Sequence, residues 1–239
     1  MEKIKTPFFI VNPKSYLYGE EILQLALVAD KLVEKYGVEI FFTAPFADLA
    51  NIKAHTKKLK VTAQHMDPLV PGRGMGHVLP ESLKAAGAEA VCLNHAEHSL
   101  KLNDLVKTIR RAKELGIITI VFADSIEEAT AIAKLGPDIL LCEPTALIGT
   151  GKTSSFDYIT ETTAKIKEID GNILVMQASG ISTGEDVYQT IIHGADGTGA
   201  TSGILNATDR AKRLEEMIQA LVRAKSKIMY KKENWHGSL

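Results

Sequence analysis

The sequence predicts a single (β/α)8 barrel, and three observations carry that prediction. Short apolar runs recur roughly every 20 to 35 residues with helical patterns between them. The runs are apolar at consecutive positions, as strands buried on both faces of a parallel sheet must be. A glycine stands where each intervening helix would stop, at Gly37, Gly87, Gly116, Gly136, Gly171 and Gly194. No linker or composition break interrupts the alternation, which favours one barrel over two domains. A doubly wound open sheet is the runner-up.

The predicted strands are Phe8–Val11, Val38–Phe42, Leu59–Ala63, Ala90–Leu93, Ile117–Phe122, Ile139–Cys142 and Ile173–Met176. An eighth, weakly apolar and glycine-rich, falls around Gly197–Ala200. Between the first two, residues 20–36 place Ile22, Leu23, Leu25, Ala26, Ala29, Leu32 and Val33 on one helical stripe. Residues 103–115 and 125–135 behave similarly. The second of these opens on Ser125-Ile126-Glu127-Glu128, a serine with an acid three residues on, which is a helix-start signature. Residues 209–230 read as the last barrel helix, with Leu214, Met217, Ile218, Leu221 and Val222 as its apolar stripe. The barrel is therefore assigned to residues 1–230, with 231–239 as a polar tail whose Trp235 could dock on a neighbouring surface.

Composition narrows the function. Lys and Arg total 28 against 29 Asp and Glu, so nothing suggests a polyanion partner, and no nucleic-acid role is expected. No apolar stretch approaches a membrane span, and no secretory leader is apparent, because Lys3 and Lys5 lead straight into a strand. Cys92 and Cys142 each sit in an apolar run and read as core packing without a disulfide framework. These features point to the cytoplasm.

The segment from Cys142 to Thr153 is the most telling. Glu143 ends the run Ile139–Cys142, and a loop opened by Pro144 and closed by Gly149-Thr150-Gly151 follows at once. A strand-held carboxylate under a coverable loop suits a proton-abstracting base of raised pKa. Gly151-Lys152-Thr153 imitates the end of a phosphate-cradling G-x-x-x-x-G-K-[ST] loop, but Ala146 occupies the first glycine position. The run Ile173–Met176 also ends without the magnesium-holding Asp that a nucleotide hydrolase needs. Ligands of such barrels bind where strands end. The candidates there are Asn12 and Lys14, Gln64 and His65, Asn94 and His95, Asp124, Glu143, Ser179 and Gly180, and Ser202 and Gly203. His95-Ala96-Glu97-His98 could suggest a metal site, but the spacing offers no third ligand, and His65 and His77 read as loop or surface histidines.

Seven pieces together resemble the triosephosphate isomerase family in its shorter, archaeal-type form, whose fold is the TIM barrel. They are Asn12-Pro13-Lys14, Ala63-Gln64-His65, Gly76 through Glu81, Leu93 through His98, Glu143-Pro144 through Gly151, Gly180 through Asp186, and Thr201-Ser202-Gly203. They come in the family's order over roughly residues 5 to 225. The resemblance implies an isomerase that interconverts dihydroxyacetone phosphate and glyceraldehyde 3-phosphate through an enediolate, with no cofactor and no metal. It implies Glu143 as the base, His95 as a neutral electrophile at the start of a short helix, Lys14 as the cation for the developing oxyanions, and Asn12 as its orienting partner. Glu97 would be a supporting acid beside the lysine. Gly149, Gly151, Ser179, Gly180, Ser202 and Gly203 would hold the substrate phosphate through backbone amides. The loop Pro71-Gly72-Arg73-Gly74-Met75-Gly76-His77 would dock into a second subunit, giving a homodimer or homotetramer.

Several residues depart from the family's pattern. Pro13 replaces an aromatic, Met75 a threonine, Ala96 a serine and Ala178 a glycine, while Gln177 and Thr201 are unusual. These changes motivate two alternatives: a paralogue acting on a four-carbon tetrulose phosphate, and a relative that binds a phosphosugar without turning it over.

Overall fold

A computed structural model describes residues 3–144 and 153–236, the side chains of 231–236 excepted. Eight parallel strands close into a barrel in sequential order. They are β1 (Phe8–Val11), β2 (Glu39–Ala44), β3 (Lys60–Ala63), β4 (Ala90–Leu93), β5 (Ile118–Ala123), β6 (Ile139–Cys142), β7 (Leu174–Gln177) and β8 (Gly197–Ala200). The expected strands all form, with ends shifted by at most two residues, and the glycine-rich eighth one closes the ring. Phe8 pairs with Glu39 on one side and with Gly197 on the other.

The helices wrap the barrel. Among the described residues they are α1 (Gly19–Tyr36), α2 (Leu49–His55), α3 (Pro80–Ala85), α4 (Leu102–Leu115), α5 (Ile126–Ala133), α6 (Phe156–Ile169), α7 (Gly184–Ile192), α8 (Ser202–Leu205) and α9 (Arg210–His236). Gly37 and Gly116 end α1 and α4 in the left-handed conformation, which lacks steric cost only without a Cβ. Gly171 does not play that part: α6 ends at an extended Asp170. Ser125 caps α5 by accepting from the Glu128 amide, as its sequence signature requires. The last helix is longer than the sequence stripe suggests, since α9 continues past Tyr230 to His236. The Trp235 side chain lies outside the described residues.

Strand alternation divides the core in two. Phe8, Ile10, Phe41, Cys92, Ile120 and Met176 fill the barrel interior, together with smaller inward residues. Phe9, Val11, Ile40, Phe42, Val61 and Val175 point outward into the layer shared with the helices. This explains why β8 looks so little like a strand in sequence. A Cβ on Gly197 would sit 2.4 Å from the Phe8 ring, and one on Gly199 would sit 2.4 Å from the Ile10 carbonyl. The barrel is filled from β1, so β8 must bring almost no side-chain volume inward.

That packing is testable by overfilling. Gly197→Val should lower the unfolding free energy by about 2 to 3 kcal/mol, the usual cost of forcing volume into a packed core. Urea denaturation of the variant beside the parent measures it. Asn172→Ala, in the exposed turn before β7, should leave the urea midpoint nearly unmoved.

Candidate active site

Because β1, β2, β3 and β6 alternate regularly, the first inward position beyond their buried runs falls on a polar residue. Phe8 and Ile10 point inward, and so does Asn12. Ile139 and Leu141 point inward, and Glu143 follows in register, its amide donating to the Ala123 carbonyl. Thr43 and Gln64 arrive by the same rule from β2 and β3. A cavity of about 650 Å³ opens at this end, and Asn12, Lys14, His95, Glu97 and Glu143 all line it.

Asn12 is held through its oxygen. Its Oδ1 accepts from the Lys14 backbone amide at 3.1 Å and from the Thr43 hydroxyl at 2.6 Å. A backbone N–H can only donate, so this pair fixes the amide orientation and leaves Nδ2 as the free donor. Lys14 adopts a left-handed backbone, φ 49°. Gln64 Nε2 donates to its carbonyl at 2.8 Å, and its Nζ meets Glu97 Oε1 at 2.6 Å. Thr43 stands directly after the apolar run Val38–Phe42, but it escapes sequence reasoning because a threonine beside a strand reads as packing. The available signal was its inward register at a strand end.

His95 is held from three sides. Its Nδ1 accepts from the Glu97 amide at 3.1 Å, its carbonyl accepts from the His98 amide, and the Phe122 ring meets it edge-on at 4.8 Å. With Nδ1 engaged as acceptor, the neutral ring carries its proton on Nε2. The expected short helix after His95 does not form. Ala96 and Glu97 make a turn between the bridged His95 and His98, and the next helix begins only at Leu102. The His95 pKa is nevertheless lowered, by burial first and then by the Lys14 charge, with Glu97 opposing. The helix dipole is thus replaced by desolvation as the reason for a neutral imidazole. Glu143 moves the other way. Burial raises its pKa, Glu97 adds to the rise, and Lys14 counters it. Glu97 itself is held down chiefly by its hydrogen bond to Lys14.

The expected phosphate-holding residues separate into groups. Gly180, left-handed at φ 67°, and Ser202, the first residue of α8, line the cavity. Ser179 is buried behind them with its hydroxyl unpartnered. Gly203 serves close packing: a Cβ there would lie 2.4 Å from the Ile181 carbonyl. Gly149 and Gly151 lie outside the described residues. Ala178 is accommodated without a left-handed backbone and packs on the interior cluster. His65 is not a surface residue. It is buried, 4.2 Å from the His98 ring and 3.5 Å from Asp67 Oδ1. Among the described residues, no group of three His, Cys, Asp or Glu side chains is placed to hold a metal ion.

The electrostatics predict an observable ordering. In an NMR titration, His95 should lose its proton below the ordinary histidine value of 6.5. Lys14→Met should raise the midpoint, because the opposing cation is gone. Glu97→Gln should lower it, because the supporting anion is gone.

Comparison with known proteins adds an independent line. The family model described as triosephosphate isomerase matches residues 7–221. A protein of Sulfurisphaera tokodaii named triosephosphate isomerase is 36% identical over 220 residues, covering 90% of this chain and 95% of that one. One of the same name from Methanobacterium bryantii is 36% identical over 227 residues, covering 92% of this chain and 100% of that one. A third, from Methanocaldococcus jannaschii, is 35% identical over 219 residues, 90% of this chain and 98% of the relative. With a closed eight-stranded barrel and a family match over most of its length, the chain belongs to the triosephosphate isomerase family.

Proposed function

We propose that this enzyme interconverts dihydroxyacetone phosphate and glyceraldehyde 3-phosphate by proton transfer through an enediolate. The observation that carries the residue assignment is one cavity lined by a buried carboxylate, a neutral imidazole and a lysine. Glu143 takes a proton from the carbon beside the carbonyl, and the C–H electron pair becomes the enediolate double bond. Returning that proton to the neighbouring carbon, while the hydroxyl proton passes from one enediolate oxygen to the other, completes the isomerisation with no net gain or loss. A carboxylate whose pKa is raised by burial holds a proton better than a solvated one, which suits it to both steps.

The oxygen charge that develops meanwhile falls to two donors. His95 Nε2–H polarises the carbonyl, and a neutral ring does so without becoming a permanent counter-ion for the enediolate. Lys14 supplies the positive charge, fixed in place by Glu97 and by its tethered backbone. The Asn12 Nδ2 donor faces the same space. Gly180 and Ser202 bring backbone N–H groups to the cavity wall, and small residues let an anionic phosphate approach them. Ser179 and Gly203 support these two loops from behind, and Gly149 and Gly151 would add donors from the loop after Glu143.

The four-carbon and binding-only alternatives are not favoured. The chain matches named triosephosphate isomerases along nearly their whole length. Of the departures from the family's pattern, Met75 and Ala96 are exposed, whereas Ala178 and Thr201 lie on the cavity wall.

The surface supports an assembly. Tyr16, Tyr18, Phe46, Val70 and Met75 are all exposed, on the neighbouring loops after β1, β2 and β3. They are five of the ten exposed large apolar side chains among the described residues, and such a grouping suits a covered face. We assign it to a second copy of the chain, in a homodimer or homotetramer. The cytoplasm suits the two buried thiols, which burial pushes up to about 12 and so keeps unreactive. Among the described residues, no helix is long and apolar enough to cross a membrane.

Two measurements test this reading. Glu143→Gln should cut kcat on glyceraldehyde 3-phosphate by about 10³-fold with KM little changed, because the amide cannot accept the proton. Full activity in that variant would refute the assignment of the base. For assembly, Met75→Asp should shift the sedimentation coefficient toward a monomer. An active parent that sediments as a monomer at micromolar concentration would refute the interface.

A further inference from the structure

We propose that Asn94 and Glu128 are a positioning pair that turns His95 into the active site. The inference rests on the assignment of His95 as the electrophile and explains how the fold delivers it there.

Strand alternation alone sends His95 the wrong way. In β4, Ala90 and Cys92 point into the barrel, while Val91 and Leu93 point outward. The next inward position is therefore 94, and 95 should face the helices. The structure does the reverse. His95 lines the large cavity, and Asn94 lines a smaller one of about 270 Å³ beside it, together with Ala96, Asp124 and Glu128.

The inversion is made by the Asn94 backbone, which adopts φ 61°. Lys14 is the only other non-glycine residue with positive φ among those described. Such a conformation carries a steric cost of about 1 kcal/mol or more, so the surroundings must hold it. Here the Asn94 side chain is held at both ends. Its Nδ2 donates to the Phe122 carbonyl at 3.0 Å and to Glu128 Oε1 at 3.0 Å. Its Oδ1 accepts from the Leu100 amide at 2.9 Å. The first two bonds tie the end of β4 to β5 and α5. The third closes residues 95–99 into a loop around Asn94.

Glu128 is itself rigidly placed. Its second oxygen accepts from the Asp124 amide at 2.8 Å, and its own amide donates to the α5 cap, Ser125. One carboxylate thus links the start of α5 to the left-handed residue that aims His95. The Phe122 carbonyl that receives Asn94 belongs to the residue whose ring touches His95 edge-on. Backbone direction and ring packing are therefore set by the same strand.

The test uses Asn94→Gly, which keeps access to a left-handed backbone while deleting the side-chain bonds, and Glu128→Ala, which deletes the anchor from outside the cavity. Both should keep a cooperative thermal transition. In each, kcat should fall about 10- to 100-fold with KM within twofold, the loss expected when a reacting group is misplaced by an ångström or so. In a His95→Gln background the Asn94→Gly loss should vanish, since there is no imidazole left to aim. If it instead multiplies with the His95→Gln loss, the pair acts elsewhere and the proposal is overturned. A wild-type rate in Asn94→Gly overturns it as well.

Imidazole ¹⁵N NMR separates this proposal from its parent. If His95→Gln keeps the wild-type rate, the electrophile assignment fails, but the ring can still be examined. The Nδ1 resonance of His95 should lose its hydrogen-bonded shift in Asn94→Gly if the pair positions the ring. An unchanged resonance would overturn the positioning role whatever the rates show.

Discussion

Closure of the sheet between β1 and β8 is the constraint on which the rest of this structure depends. An open sheet would leave strand ends along a line. A closed one gathers them into a ring, so residues distant in sequence face one cavity. Closure requires the interior to be filled without being overfilled. Phe8 and Phe41 meet edge to face with centroids 5.5 Å apart, and β8 answers them with glycine at both inward strand positions. The weakest-looking strand in the sequence is weak for that reason.

Lys14 is the electrostatic centre of the resulting ring. It pairs with Glu97 across the site, depresses the His95 pKa and pulls the Glu143 pKa down against burial. One cation therefore biases both titrating partners toward the forms that the proposed chemistry requires, a neutral imidazole and an ionised carboxylate. Glu97 opposes it at both groups. Its compensating value is mechanical, because it fixes the ammonium that would otherwise sweep a wide arc on a flexible stem.

The barrel, Asn12 and Glu143 were legible in the sequence through a two-residue period, whereas Lys14 and His95 were legible only through their place after a strand and the family resemblance. Asn12 and Glu143 lie on the same inward rows as Ile10 and Leu141, and each could be placed by counting along its strand. What could not be read has physical reasons. Thr43 hides at the end of an apolar run, because a threonine in a strand is as much a packing residue as a hydrogen-bond donor. The predicted helix after His95 failed because a short turn closed by the His98 amide satisfies the same backbone groups. The histidine is neutral by burial, which is a property of the assembled cavity. The burial of His65 likewise depends on its neighbours His98 and Asp67.

The two breaks in regularity are the most informative local features. Lys14 and Asn94 are the described non-glycine residues in the left-handed region, and each stands just beyond a strand at the rim. Regular strands supply inward side chains only at every second position. At β4 this rule would waste the histidine on the helical layer. A left-handed residue shifts the alternation by one and recovers it, at a steric cost met by hydrogen bonds from neighbouring elements. For Lys14 these come from Asn12 and Gln64, and for Asn94 from Phe122, Glu128 and Leu100. The same physics accounts for the choice of residue. Asparagine tolerates this conformation better than most side chains and can also bridge two strands through its amide. The site is therefore built from two kinds of position: those that the barrel delivers by register, and those that the chain must bend against its own preference to deliver.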